Sequence, residues 1–268
     1  GIMEALGYSR NREPMRELAE VRPLNRLETV IQPAADDETC LAAWQGLLLG
    51  TAGLLPSQRT LRPGGEIPAG GWAERLERAW SESGAVAALS EKDWHLSRVR
   101  PGNYPARRIA AISRLLLRHR NTGLFNGFLR EMETGLTEKR GRKHQDSLIV
   151  SAGGFWKDYL DFGVAAGKTP PALCGAGRAA DILINVALPF AAAQYRMNGE
   201  PGEAGRIAES YQVHPGLGEN RVLREMRVQL GLERRHATTA RRQQGMMHVY
   251  KTWCSTGKCR ECPLGKRG

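Results

Sequence analysis

Apolar residues in this 268-residue chain recur at three- and four-residue intervals and almost nowhere alternate, which directs it towards packed helices and away from sheets. Asp36 and Asp37 open an apolar segment through Cys40, Leu41, Trp44, Leu47, Leu48 and Leu49 that closes near Gly50. Pro14 suits the first turn of another helix, with Asn11 as its cap. Trp72, Leu76 and Trp80 share a helical face, and Gly177–Met197 gives the longest helix. Pro189 cannot donate to the carbonyl of Asn185, so a kink is expected inside that helix. The expected fold is mostly α, an irregular multi-helix bundle with a Cys-rich C-terminal tail and at most a minor β-hairpin, placed at 86–100. A helical domain would span 1–253, with a sub-boundary near the Pro/Gly-rich linker 56–71; residues 254–268 would form the tail. The chain is 41% hydrophobic, so a sizeable core is available. No run of roughly 20 apolar residues stands out, and no membrane partner is expected.

Charge is the second constraint. The net charge is +11, and it is unevenly placed. Residues 94–130 carry eight Arg and no Asp or Glu, and residues 234–268 carry nine basic groups against Glu261 alone. Within the first block, Arg107, Arg114 and Arg118 fall within about 40° on a helical wheel, opposite Ile109, Ile112 and Leu116. Arg108 borders that stripe. A row of cations on one face can track a phosphate backbone and release counterions, so DNA or RNA is the expected partner. Tyr104, Trp94 or Phe125 would stack bases where exposed. The bland alternative is a solvated face or pairing with the acidic N-terminal segment. On the phosphate-binding expectation, Arg107→Glu with Arg114→Glu abolishes binding and leaves stability unchanged.

The tail carries the sharpest local motif, Cys254-x4-Cys259-x2-Cys262-Pro. Two-residue spacing lets thiolates point at one centre, as zinc and iron–sulfur sites require. Flanking Lys251, Lys258, Arg260, Lys266 and Arg267 would stabilise thiolates. A closed site needs a fourth ligand; His248 is the first choice, with Cys174, Cys40 and His236 as rivals. The Cys-Pro ending is similar to the cluster tails of some DNA-repair glycosylases, but those use a longer first spacing and a fourth local Cys. Zinc is therefore favoured over an iron–sulfur cluster. Clustered cysteines in an odd number also suit a reducing, cytoplasmic setting.

The remaining polar residues read as structural. Asp181 and Asn185, one turn apart in an apolar run, are expected to fix packing. Gln243 and Gln244 are expected to bond neighbouring backbone. His119 and His144, amid positive residues, are expected at the surface.

Four strings then fall into one order: Glu4–Pro14 (EALGYSRNREP), Arg100–Arg108 (RPGNYPARR), Ala180–Pro189 (ADILINVALP) and Gln243–Tyr250 (QQGMMHVY), followed by the cysteine tail. In this the chain resembles the C-terminal part of an uncharacterised bacterial family, domain-of-unknown-function family number twenty-eight fifty-one. The resemblance implies a longer protein whose N-terminal half, with a Gly-Pro-Asp string and a Glu-x-His string, looks like the acidic centre of a restriction-type nuclease fold. The opening residues, which read like the interior of a longer chain, agree with that. By this resemblance the chain is an accessory lobe without catalysis of its own, partnered by the missing N-terminal lobe. The expected function is nucleic-acid association with a structural metal site. The alternative is a helical module that packs on that missing lobe without nucleic acid.

Overall fold

The computed structural model describes residues 1–31, 35–60, 71–137, 146–237 and 239–265. Most of the linker expected at 56–71 and of the polar stretch at 136–146 lies outside these residues, as do His144, Lys266 and Arg267. The chain divides into two compact units, one made of Gly1–Glu133 and His144–Ile182, the other including Leu183–Gly268.

Helices build the first unit. They are α1 (Ile2–Leu6), α2 (Arg12–Val21), α3 (Leu24–Glu28), α4 (Asp37–Thr51), α5 (Trp72–Glu82), α6 (Pro105–Arg118), α7 (Leu124–Thr137), the single turn α8 (Phe155–Asp158) and α9 (Ala176–Ile182). Asp36 caps α4, its carboxylate accepting from the Thr39 backbone N–H at 2.9 Å and the Thr39 hydroxyl at 2.8 Å. Asn11 stands at the cap position of α2 but does other work. Its side chain donates to the His95 carbonyl and accepts from the His95 N–H, pinning a distant loop.

Helix α4 is the core helix, with Cys40, Leu41, Trp44, Leu47, Leu48 and Leu49 all buried. It packs closely on α5 because Gly46 and Gly50 share the facing side. A methyl group on Gly50 would overlap the Trp80 ring, and one on Gly46 would come within 2.7 Å of the Leu76 carbonyl oxygen. Helix α6 buries Ile109, Ile112, Leu115 and Leu116 on one side. Its opposite side lies under the segment 147–171, so α6 is covered on both faces.

The hairpin is present but elsewhere. Strands β1 (Tyr159–Asp161) and β2 (Val164–Ala165) pair antiparallel, turning at Gly163 with φ +70°. Residues 86–100 instead hold a short 3-10 turn at Glu91–Asp93 and no strand.

In the second unit, a π-helical turn (Leu183–Ala187) leads into α10 (Leu188–Met197). Pro189 removes the N–H that Asn185 would have accepted, and the helix winds wider just before it. Helices α11 (Pro201–Val213), α12 (Arg221–Gln229) and α13 (Ala240–Val249) follow, and a second π-helical turn (Tyr250–Cys254) continues α13. Leu223, Met226 and Met246 form a buried cluster against which Tyr250 and Cys254 pack.

Two stretches, Asp37–Gln58 and Ala176–Met197, are long and apolar enough to cross a membrane by length and composition. This corrects the sequence expectation that none would be. The first has 83% of its apolar window buried in the fold, as a core helix does.

Candidate functional site

The arginine row of α6 is real as a row, but it faces inward. Arg107 is completely buried, and its guanidinium donates to the carbonyls of Trp156 (2.8 Å), Tyr159 (2.7 Å) and Pro171. Burial, and then the like charge of Arg108, lower its pKa to about 10, so it stays protonated at neutral pH. Arg108, also buried, donates to the Leu173 carbonyl, to the Asn103 side-chain oxygen at 2.5 Å and to the Tyr8 hydroxyl at 3.2 Å. Arg114 donates to the Gly153 carbonyl at 2.8 Å. Arg118 is exposed, yet its two terminal nitrogens are held by the carbonyls of Ser147 and Ile149. The four side chains therefore replace the backbone partners that 147–173 cannot find in a sheet or helix of its own. The acceptors are carbonyls, not the acidic residues of the N-terminal segment. Phosphate contact by Arg107 and Arg108 is corrected accordingly. Trp94 and Tyr104, proposed as stacking rings, are buried as well, with the Trp94 indole N–H on the Ala52 carbonyl at 2.8 Å.

His119 is buried rather than at the surface, with Nε2 3.9 Å from Glu131. Burial lowers its pKa, against the opposing pull of Glu131 and with help from Arg118. Asp181 meets Arg178 at 3.4 Å, while Asn185 accepts from Gln244 at 2.8 Å. Gln243 clamps Leu217 through both its backbone groups. Gln243 thus bonds neighbouring backbone as expected, whereas Gln244 meets a side chain.

All five cysteines are free thiols. Cys254 is half-buried; desolvation raises its pKa, and so does the nearness of Cys262 and Cys259. The tail folds as a compact turn, with the Cys262 N–H on the Cys259 carbonyl and the Gly265 N–H on the Cys262 carbonyl. His248 lies edge-on to Trp253, ring centres 5.6 Å apart. Among the described residues, no three His, Cys, Asp or Glu side chains are arranged to hold a metal ion. Cys40 and Cys174, rival fourth ligands, are buried in the first unit.

Two other surfaces carry chemistry. In the second unit, Arg241 and Arg242 on α13 and Lys251, Lys258 and Arg260 beyond it are all exposed. Among the described residues, the Arg241 side chain reaches Gln212 and the Arg242 side chain the His236 carbonyl. The cations of α12 differ, because Arg221 pairs with Glu225 and Arg227 with Glu219. Positive charge on α12 is thus partly neutralised, three arginines sharing two glutamates, and among the described residues the cations of α13 and the tail have no carboxylate partner.

In the first unit, a cleft of about 450 Å³ opens between α4, α5 and residues 153–159. Gln45, buried in α4, accepts from two indoles with one amide oxygen, Trp156 at 2.9 Å and Trp72 at 3.2 Å. Phe155 and Tyr159 stack nearly parallel, ring centres 4.6 Å apart. Arg75 lies over Trp72 and pairs with Glu38 at 2.9 Å. Arg114 closes the wall against Gly153 and Gly154, and Gly154 turns with φ +55°.

The strings of the sequence meet in space. Arg108 joins Tyr8 of the first string to Asn103 of the second, and Arg178, just before the third, stacks on the Tyr8 ring 3.4 Å from its centre. A family model described as a protein of unknown function, DUF2851, matches residues 1–215. The chain belongs to the DUF2851 family. No curated protein and no solved structure matches it. The DUF2851 match contains the first three strings and both walls of the cleft, and it ends before the Gln243 string and the cysteine tail.

Sequence reasoning did not assemble the cleft. The sequence signals for it are Trp72 on a helical face and the aromatic density of 155–162, and neither shows that the two meet. Their convergence depends on Gln45, which separates from Trp156 by 111 positions and belongs to no motif.

Proposed function

We propose that this DUF2851 chain is a nucleic-acid-associating helical lobe of a longer protein, and that the contact is made by the exposed cations of α13 and the tail. The observation that carries this reading is the contrast within the second unit: among the described residues, Arg241, Arg242, Lys251, Lys258 and Arg260 are exposed and lack carboxylate partners, whereas the three arginines of α12 share Glu219 and Glu225. Arg241 and His248 lie two helical turns apart on one face, about 10 Å along the axis. Such a surface binds through phosphates, without reading bases. The nuclease-like character of the longer protein rests on the family resemblance alone. Zinc held by Cys254, Cys259 and Cys262 belongs to the same proposal, supported by their spacing.

Five phosphate contacts give a slope of log affinity against log salt of about −4.5 on duplex DNA and about −3.5 on single strands. Fluorescence anisotropy across a salt series measures it. Arg241→Gln with Arg242→Gln should weaken binding for every sequence and flatten the slope by about 2. Absence of binding by the wild-type chain at low salt rejects the proposal.

A second reading, a protein-interaction module without nucleic acid, is favoured by one observation. Phe190, Ala193 and Met197 are exposed on α10 at helical spacing, an apolar ridge of the kind that seats in a partner's groove. Under that reading Met197→Ser weakens partner binding and the salt series shows no nucleic-acid affinity.

A further inference from the structure

We propose that the cleft of the first unit binds a planar aromatic ring carrying an anionic group, the class to which a nucleoside monophosphate belongs. The inference stands apart from the cationic face of the second unit.

Size comes first. A volume of about 450 Å³ falls in the range of small-molecule sites, roughly 300–1,000 Å³. Shape and chemistry come from the lining. Trp72, Phe155 and Tyr159 present ring surface, and aromatic faces hold planar bases by stacking. Gln45 fixes the orientation of Trp72 through the indole N–H, so the wall is set before a ligand arrives. The glycines at 153 and 154 leave no side chain between the cleft and the Arg114 guanidinium, which lies 3.3 Å from where a methyl group on Gly153 would stand.

Arg114 supplies the anionic preference. Among the described residues, its one hydrogen bond is to the Gly153 carbonyl, its Nε is buried without a partner, and no carboxylate pairs with it. A half-buried cation that meets only a carbonyl is under-compensated. The other charged groups are Glu38, Arg75 and Asp158, so with Arg114 the lining holds two cations and two carboxylates. Arg75 is occupied by Glu38, and Asp158 stands at the rim as a carboxylate that would repel a second negative charge. The cleft therefore suits one ring and one anionic group better than a run of phosphates. Burial also disfavours the charged form of Arg114, which an anion would restore.

The test is titration calorimetry of the full chain with adenosine, guanosine, cytidine and uridine monophosphates, with inorganic phosphate and adenosine as separate controls. At least one monophosphate should bind more tightly than either control. Trp72→Ala should weaken it at least fivefold by loss of stacking. Arg114→Gln should remove the preference of the monophosphate over its nucleoside. Should Arg114→Gln unfold the chain, Asp158→Asn serves in its place, because relief of repulsion should strengthen binding of the monophosphate and leave the nucleoside unchanged. A short oligonucleotide run in parallel separates the sources of the ligand. If Trp72→Ala weakens both, the cleft takes a base from a strand; if it weakens the monophosphate alone, the ligand is a free nucleotide. No binding by any monophosphate at millimolar concentration, or binding indifferent to Trp72→Ala, overturns the proposal. Neither result touches the salt series on the second unit.

Discussion

Replacing Arg107 tests whether the α6 row holds the fold or contacts a ligand. The side chain is fully buried and donates to three carbonyls, those of Trp156, Tyr159 and Pro171. A hydrogen bond from a charged donor contributes about 1.5–3 kcal/mol, but taking the cation out of water offsets much of the sum. The Arg107→Ala variant also takes the guanidinium donor from three carbonyls, the buried one of Trp156 among them, and opens a cavity. Breaking a buried charged network of this kind costs about 3–5 kcal/mol. For a chain of this size each kcal/mol moves the melting temperature by about 2–4 °C, so a fall of roughly 10 °C is expected. An exposed phosphate-binding arginine would behave otherwise, changing stability by about 0.5 kcal/mol at most. Thermal unfolding followed by circular dichroism distinguishes the two. Arg107→Lys should fall between wild type and Ala, because one ammonium cannot span three carbonyls in the guanidinium plane. If Arg107→Ala melts within about 2 °C of wild type, the inward assignment of the row is wrong.

Three further outcomes are expected. His119 has a folded pKa below its ordinary 6.5, so the folded state binds the proton less well than the unfolded chain. Its contribution to stability is complete above pH 6.5 and shrinks as pH falls below that value; urea unfolding at pH 7.5 and 5.5 should show a loss that His119→Gln reduces, and an equal loss in both proteins refutes it. Gly50→Ala forces a methyl group into the Trp80 ring and should cost about 1–3 kcal/mol, where a helix interior would ordinarily gain from alanine. Elemental analysis of protein purified without added metal should find close to one zinc per chain, lost in a Cys259→Ser, Cys262→Ser variant; a metal-free wild type that does not take up zinc rejects the proposed site.

Periodicity marks the long helices such as Asp37–Thr51 and Trp72–Glu82, because burial on one side of a 3.6-residue repeat leaves its mark in composition, but it gives no helix at Leu24–Glu28 or Pro201–Val213. It also placed Arg107, Arg114 and Arg118 on one stripe, correctly. What it could not show was the surroundings of that stripe. A row of guanidinium groups looks the same along the chain whether it faces water or the carbonyls of a loop forty residues away. One clue was present: residues 147–173 have little regular pairing of their own, so their acceptors needed donors from elsewhere. The hairpin was misplaced for a related reason. Its strands are three and two residues long, too short for alternation to register, and Gly163 at the turn was the only local mark. At the tail, spacing shows which sulfurs are near one another, and backbone path decides whether they converge.

The amide oxygen of Gln45 ties the indoles of Trp72 and Trp156, so neither ring can swing without releasing a bond that the other shares. The two tryptophans consequently move as one body. A cavity walled in this way chooses its guest by fit and will not remodel itself around a poor one.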